Sequence, residues 1–146
     1  MVAKISTGQS LHGAIAYNQN KVDEGHARVL ATNLVLQPAD GQFNISDCMN
    51  DFRRWMPSHF RTENPVIHIS LNPHPDDVLT DEQLTAIGEE YMQKLGYGNQ
   101  PYIIFKHEDI ERKHIHIVSL RADSNGKKIN DSNEYCRSKA ITEELE

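Results

Sequence analysis

The chain has 146 residues, 38% of them hydrophobic and 25% charged, with a net charge of −6, a length that fits one domain (residues 1–146) with a real core. No apolar run approaches the length of a membrane span, which excludes membrane insertion, and Met1-Val2-Ala3-Lys4 leads into a polar stretch instead of an apolar leader. The acidic balance argues against gripping nucleic acid through the overall field, so phosphate contacts would be local, at Arg53-Arg54, Arg61, Lys106, Arg112-Lys113 or Lys127-Lys128 with Arg137 and Lys139.

In chain order, Val2-Ala3-Lys4-Ile5-Ser6 reads as a short strand, followed by a turn through Thr7-Gly8-Gln9-Ser10. A helix is expected from Leu11, with Ser10 as its cap and Leu11, Ala14 and Ile15 as its apolar stripe. Tyr17 and Lys21, one turn apart, share a face of it. Asn18-Gln19-Asn20 and Asp23-Glu24-Gly25 are expected to break it before a strand between His26 and Val35. After a turn at Pro38-Ala39-Asp40-Gly41, a second helix runs from Ser46 or Asp47 to Trp55-Met56, stopped by Pro57. Phe52, Trp55 and Met56 recur at helical spacing and read as core.

Val66-Ile67-His68-Ile69-Ser70-Leu71-Asn72 alternates, with Ile67, Ile69 and Leu71 on one face and His68, Ser70 and Asn72 on the other. Its polar face either meets water or places His68 in a polar cleft. Thr80 and Gln83 form a capping-box pattern ahead of a third helix whose stripe is Leu84, Ile87, Tyr91 and Leu95, and Gly96 ends it. Asp123-Ser124-Asn125-Gly126 is a turn signal, and a last helix begins near Asp131-Ser132, its candidate caps. That helix reaches Leu145-Glu146 with no stop signal, so a fragment of a longer protein is expected. The two cysteines, Cys48 and Cys136, show no CxxC spacing and read as free thiols of a cytoplasmic protein. Strands interrupted by helices around one central hairpin indicate an α+β fold: a mainly antiparallel sheet with helices packed on one face.

The chemistry concentrates after Tyr102-Ile103-Ile104-Phe105, in His107-Glu108-Asp109-Ile110-Glu111-Arg112-Lys113-His114-Ile115-His116. Alternation along a strand aims His114 and His116 the same way, and a hairpin folds His107 back beside them. Three imidazoles from adjacent strands make a facial site with open positions, as a catalytic metal needs. Asp109 and Glu108 are candidates to hydrogen-bond the ring nitrogens not used for ligation. The bland alternative, surface histidines on an edge strand, accounts poorly for three at this H-x-D-x4-H-x-H spacing.

The chain resembles the relaxase or mobilisation-nuclease family of plasmids and mobilisable elements, within the His-hydrophobic-His (HUH) endonucleases. The resemblance runs through Gly13-Ala14-Ile15-Ala16-Tyr17, His68-Ile69-Ser70, the helix from Leu79 to Leu95, the three-histidine motif and Asn125-Gly126-Lys127-Lys128-Ile129. It implies a metal-dependent nick in single-stranded DNA at an origin of transfer, with Tyr17 as nucleophile and a 5′-phosphotyrosyl intermediate. It also implies His107, His114 and His116 as ligands of one divalent ion (Mn, Mg, Zn, Co or Ni), and accessory mobilisation proteins and a coupling protein as partners. Lys21 and His68 are candidate phosphate contacts. Some relatives resemble this pattern with a histidine nucleophile, so His26 and His12 rank behind Tyr17. Two other readings compete. One is a replication initiator or single-tyrosine transposase, for which Tyr135 stands after the histidine motif. The other is a non-catalytic, metal-stabilised DNA-binding module.

Overall fold

In the computed structural model the described residues are 1–35, 45–56, 64–108 and 113–145. The elements are β1 (Val2–Gly8), α1 (Leu11–Asp23), β2 (Ala27–Asn33), α2 (Ile45–Trp55), β3 (Val66–Asn72), α3 (Asp81–Leu95), β4 (Tyr102–His107), β5 (His114–Leu120) and α4 (Glu134–Leu145). The turn expected at 38–41, Pro57 and the basic residues Arg61 and Arg112 lie outside the described residues.

The strands form one sheet in the order β1-β3-β5-β4-β2, and every neighbouring pair is antiparallel. Opposed residues in such pairs share a face, so register assigns each side chain to a side. On one side Ile67, Ile69, Leu71, Ile104, Ile115 and Ile117 pack with Leu84, Tyr91, Met92 and Leu95 of α3 and with Ile141 of α4. Val66, Ile103, Phe105, Val118 and Leu120 face the other way and pack with Leu11 and Ile15 of α1 and Cys48 and Phe52 of α2. Each large apolar side chain fully buried in these layers contributes about 1.5–3 kcal/mol relative to exposure.

The α+β class and the antiparallel sheet are as expected from the sequence. The one-face packing is extended: α3 and α4 cover one face, and α1 and α2 form a second layer on the other. The reason is visible in β4 and β5, the central strands, which are buried along nearly their whole length. Strands buried on both faces are apolar over most of their length on both, and here the buried polar exceptions Lys106, His107, His114 and Ser119 lie towards the strand ends.

The third helix follows the sequence closely. Thr80 Oγ1 accepts from the Gln83 N–H, the Gln83 side chain accepts from the Thr80 N–H, and Gly96 takes the left-handed conformation at φ 101°. The last helix starts later than expected, at Glu134, after Asn133 at φ 53°. Asp131, a candidate cap, is drawn off by Arg121 and Lys128 at 3.1 and 3.2 Å.

Candidate active site

α1 begins where Ser10 Oγ accepts from the Gly13 N–H at 2.9 Å. It does not break at Asn18-Gln19-Asn20, because those amides are satisfied along the helix itself. Asn18 Nδ2 donates to the Ala14 carbonyl at 2.8 Å, and Gln19 Nε2 donates to Asp23 Oδ1 at 2.9 Å. The helix ends at Asp23, and Gly25 at φ 80° turns the chain into β2. This added turn places Tyr17, 49% exposed, in mid-helix over the sheet.

Below it lie the histidines. His107, the last residue of β4, is directly opposite His114, the first of β5, and His116 is opposite Phe105. His107 and His116 stack with ring centroids 3.9 Å apart, and His114 lies 5.3 and 4.9 Å from them. One nitrogen from each ring can be chosen so that all three lie within 4.8 Å of one another. Three neutral imidazole nitrogens are a donor set that suits a divalent first-row ion, so these residues fit a metal. His107 is 1% exposed and His114 9%, while His116 is half-buried.

Around this group the rings are fixed by further contacts. His68 on β3 places Nε2 2.8 Å from Nδ1 of His116. Burial lowers the pKa of His68 from its ordinary value, which favours the neutral ring. On the other flank, Asn18 Oδ1 is 2.8 Å from Nε2 of His107. Tyr17 completes the cluster: its ring is 6.3 Å from His107, inclined by 24°, and 6.4 Å from His68, edge-on at 61°.

Other expected residues are placed differently. Asp109 lies outside the described residues. Glu108 is exposed and engaged by Lys106, Nζ to Oε1 2.7 Å, and that contact lowers its carboxyl pKa. Lys106 is itself buried and also bonds Asp81 at 2.6 Å, so its charge is taken up inside the fold. Lys21 is half-buried in the last turn of α1. His12 is exposed five positions before Tyr17, about 140° around the helix. His26 is exposed ahead of β2, its carbonyl accepting from the Glu108 N–H. Tyr135, 81% exposed, stands at the start of α4, the helix whose Ile141 packs on the opposite face of the sheet.

Asn18 is the residue that sequence reasoning missed. Its signal was present: Leu11, Ile15 and Asn18 follow the spacing of a buried stripe, and an amide in such a stripe implies a buried hydrogen bond.

The sequence matches the nuclease domain of MobA/VirD2-like relaxases over residues 17–146. The chain belongs to the relaxase family. Comparison with curated protein sequences gives no match. The relaxase match starts at Tyr17 itself and takes in the three-histidine cluster, so nucleophile candidate and metal candidates all fall within it. β1 and the first half of α1 precede it and complete the edge of the sheet. Among the described residues of this relaxase chain, no helix is long and apolar enough to cross a membrane.

Proposed function

We propose that the chain nicks single-stranded DNA at an origin of transfer, with site and strand specificity, using Tyr17 as nucleophile and a divalent ion on His107, His114 and His116. The observation that carries this reading is the placement of the Tyr17 ring beside His107 and His68, over a three-imidazole group. The phenol oxygen attacks phosphorus; an Oη–P bond forms and the P–O3′ bond breaks. The phenol gives up its proton and the departing 3′ oxygen takes one, leaving a 3′-hydroxyl and a 5′-phosphotyrosyl chain. The adduct retains the phosphodiester's energy, so the reverse step reseals the strand after transfer. A phenol has a pKa of about 10, so Tyr17 attacks only where its charge and the phosphate's are both stabilised. An ion held by His107, His114 and His116 would supply that stabilisation as a Lewis acid toward the phosphate. Mn, Mg, Zn, Co and Ni are the candidate ions, and accessory mobilisation proteins and a coupling protein are the expected partners in conjugative mobilisation.

The position of Tyr135 weighs against the initiator or transposase reading, because the sheet separates that tyrosine from the histidines. The deciding experiment is denaturing electrophoresis of the protein with labelled origin-type single strands and Mn or Mg, followed by mass mapping of the adduct. An adduct at Tyr17, absent in Tyr17→Phe although that variant still binds DNA and metal, is the expected result. An adduct persisting on Tyr17→Phe moves the role to His26, His12 or Tyr135. Binding of a verified cognate strand without any adduct returns the chain to the non-catalytic module.

A further inference from the structure

We infer that Asn18 is a positioning residue that fixes the tautomer of His107 and ties the tyrosine helix to the metal-binding strand; this rests on the three-histidine reading above. Asn18 has no solvent exposure. A buried amide is costly unless both its ends are paired, and here both are. The NH2 end donates to the Ala14 carbonyl at 2.8 Å. A carbonyl can only accept, so this contact decides which end of the amide faces the sheet. The end that remains is Oδ1, 2.8 Å from Nε2 of His107. Oδ1 carries no proton, so Nε2 must supply it. His107 is therefore the Nε2–H tautomer, and its lone pair is on Nδ1.

Two consequences follow. Metal ligation by His107 would then fall to Nδ1. An outer hydrogen bond of this kind orients a ligand ring and raises its basicity. The second consequence concerns the nucleophile. Asn18 directly follows Tyr17, so one hydrogen bond sets the register of α1 on β4 and with it the near-parallel stack of Tyr17 on His107.

The test uses two readouts on the intact chain. Long-range 1H–15N NMR of the histidine rings, without metal, should show His107 protonated at Nε2 with a proton protected from exchange. That proton should be lost to exchange in Asn18→Leu and kept in Asn18→Asp, whose carboxylate still accepts it but meets the Ala14 carbonyl without a donor and so lowers stability. Calorimetric titration with Mn or Zn alone should then show affinity falling about 10–100-fold in Asn18→Leu and staying within a few-fold of the parent in Asn18→Asp. Should Asn18→Leu melt too early to study, Asn18→Asp and the parent spectrum carry the test. An unprotonated Nε2 in the parent, or an unchanged ring proton and metal affinity in Asn18→Leu, overturns the inference. His114→Ala separates this failure from that of the underlying reading. If parent and His114→Ala bind metal alike, the three-histidine site itself is wrong and the positioning role falls with it.

Discussion

His107 and His116 stack on each other from two adjacent strands, yet replacing them should have different consequences. His107 is 1% exposed and holds the buried Asn18. In His107→Ala the Asn18 oxygen loses its donor, and an unsatisfied buried group costs about 1–3 kcal/mol. Chemical denaturation should therefore show that variant to be measurably less stable as well as unable to nick. His116 lies at the more open side of the group, half-buried. We expect His116→Ala to lose metal-dependent nicking while its unfolding midpoint falls less than that of His107→Ala, because the partner it leaves, His68, is only partly buried. Equal nicking by His116→Ala and parent would remove His116 from the ligand set.

The two thiols make a separate residue-scale contrast. Burial, with Asp51 and Asp47 nearby, pushes the Cys48 thiol up to about 12, so it stays protonated and shielded within the α1–α2 layer. Cys136 is exposed on α4. Since the thiolate is the reactive form, iodoacetamide at pH 8 should label Cys136 in the native chain and Cys48 only after unfolding. Rapid labelling of Cys48 in the native chain would contradict the packing of α2.

At the scale of elements, α3 shows what local chemistry alone can specify. Its cap and its terminating glycine are contacts within four residues and its stripe is a local spacing, so they are legible in the sequence and recur in the structure. Thr80→Ala removes the oxygen that caps Gln83 and should cost about 1 kcal/mol, read as a lower denaturation midpoint with unchanged metal affinity. A loss of metal affinity in that variant would mean that α3 supports the site in a way its packing on the far face does not suggest. α1 was harder to read for a related reason. Asn18 and Gln19 look like helix breakers because such amides compete with the backbone, but here they bond along the helix and extend it. The three histidines were legible from alternation on one strand and a hairpin. Their partners were not, because Asn18 is 89 positions from His107 and His68 is 48 from His116. Only the strand order, with β3 beside β5 and α1 laid across the sheet, brings them together.

The whole molecule adds two constraints that no motif contains. First, several of its cations are already paired with the chain's own carboxylates. Lys106 pairs with Asp81 and Glu108, Arg28 with Asp81, Arg121 and Lys128 with Asp131, and Lys94 with Glu90 and Glu144. With a net charge of −6, the chain offers no broad positive field to a DNA strand, so phosphate contacts would be local. The same division explains why packing on both faces was not read from the sequence: the second apolar layer uses Val66, Ile103, Phe105, Val118 and Leu120, which alternate with residues of the first.

Second, the cores hold several weak acids in their protonated forms. Burial raises the phenol pKa of Tyr91, Tyr97 and Tyr102 above the ordinary value, and Cys48 is raised to about 12. Each group binds its proton more tightly when folded than when unfolded, so its contribution to stability is complete below the unfolded pKa. That value is about 8.5 for a thiol and about 10 for a phenol. The contribution is then lost as pH rises toward the folded values, because the unfolded chain ionises first. Thermal melts followed by circular dichroism should accordingly be insensitive to these groups up to about pH 8, then fall steadily above about pH 9. Cys48→Val should weaken the earliest part of that fall, since the thiol is the first of these groups to ionise in the unfolded chain. A melting temperature that stays level from pH 8 to 11 would mean that these side chains are as accessible in the folded chain as in the unfolded one, and would contradict the two-layer packing on which the histidine cluster rests.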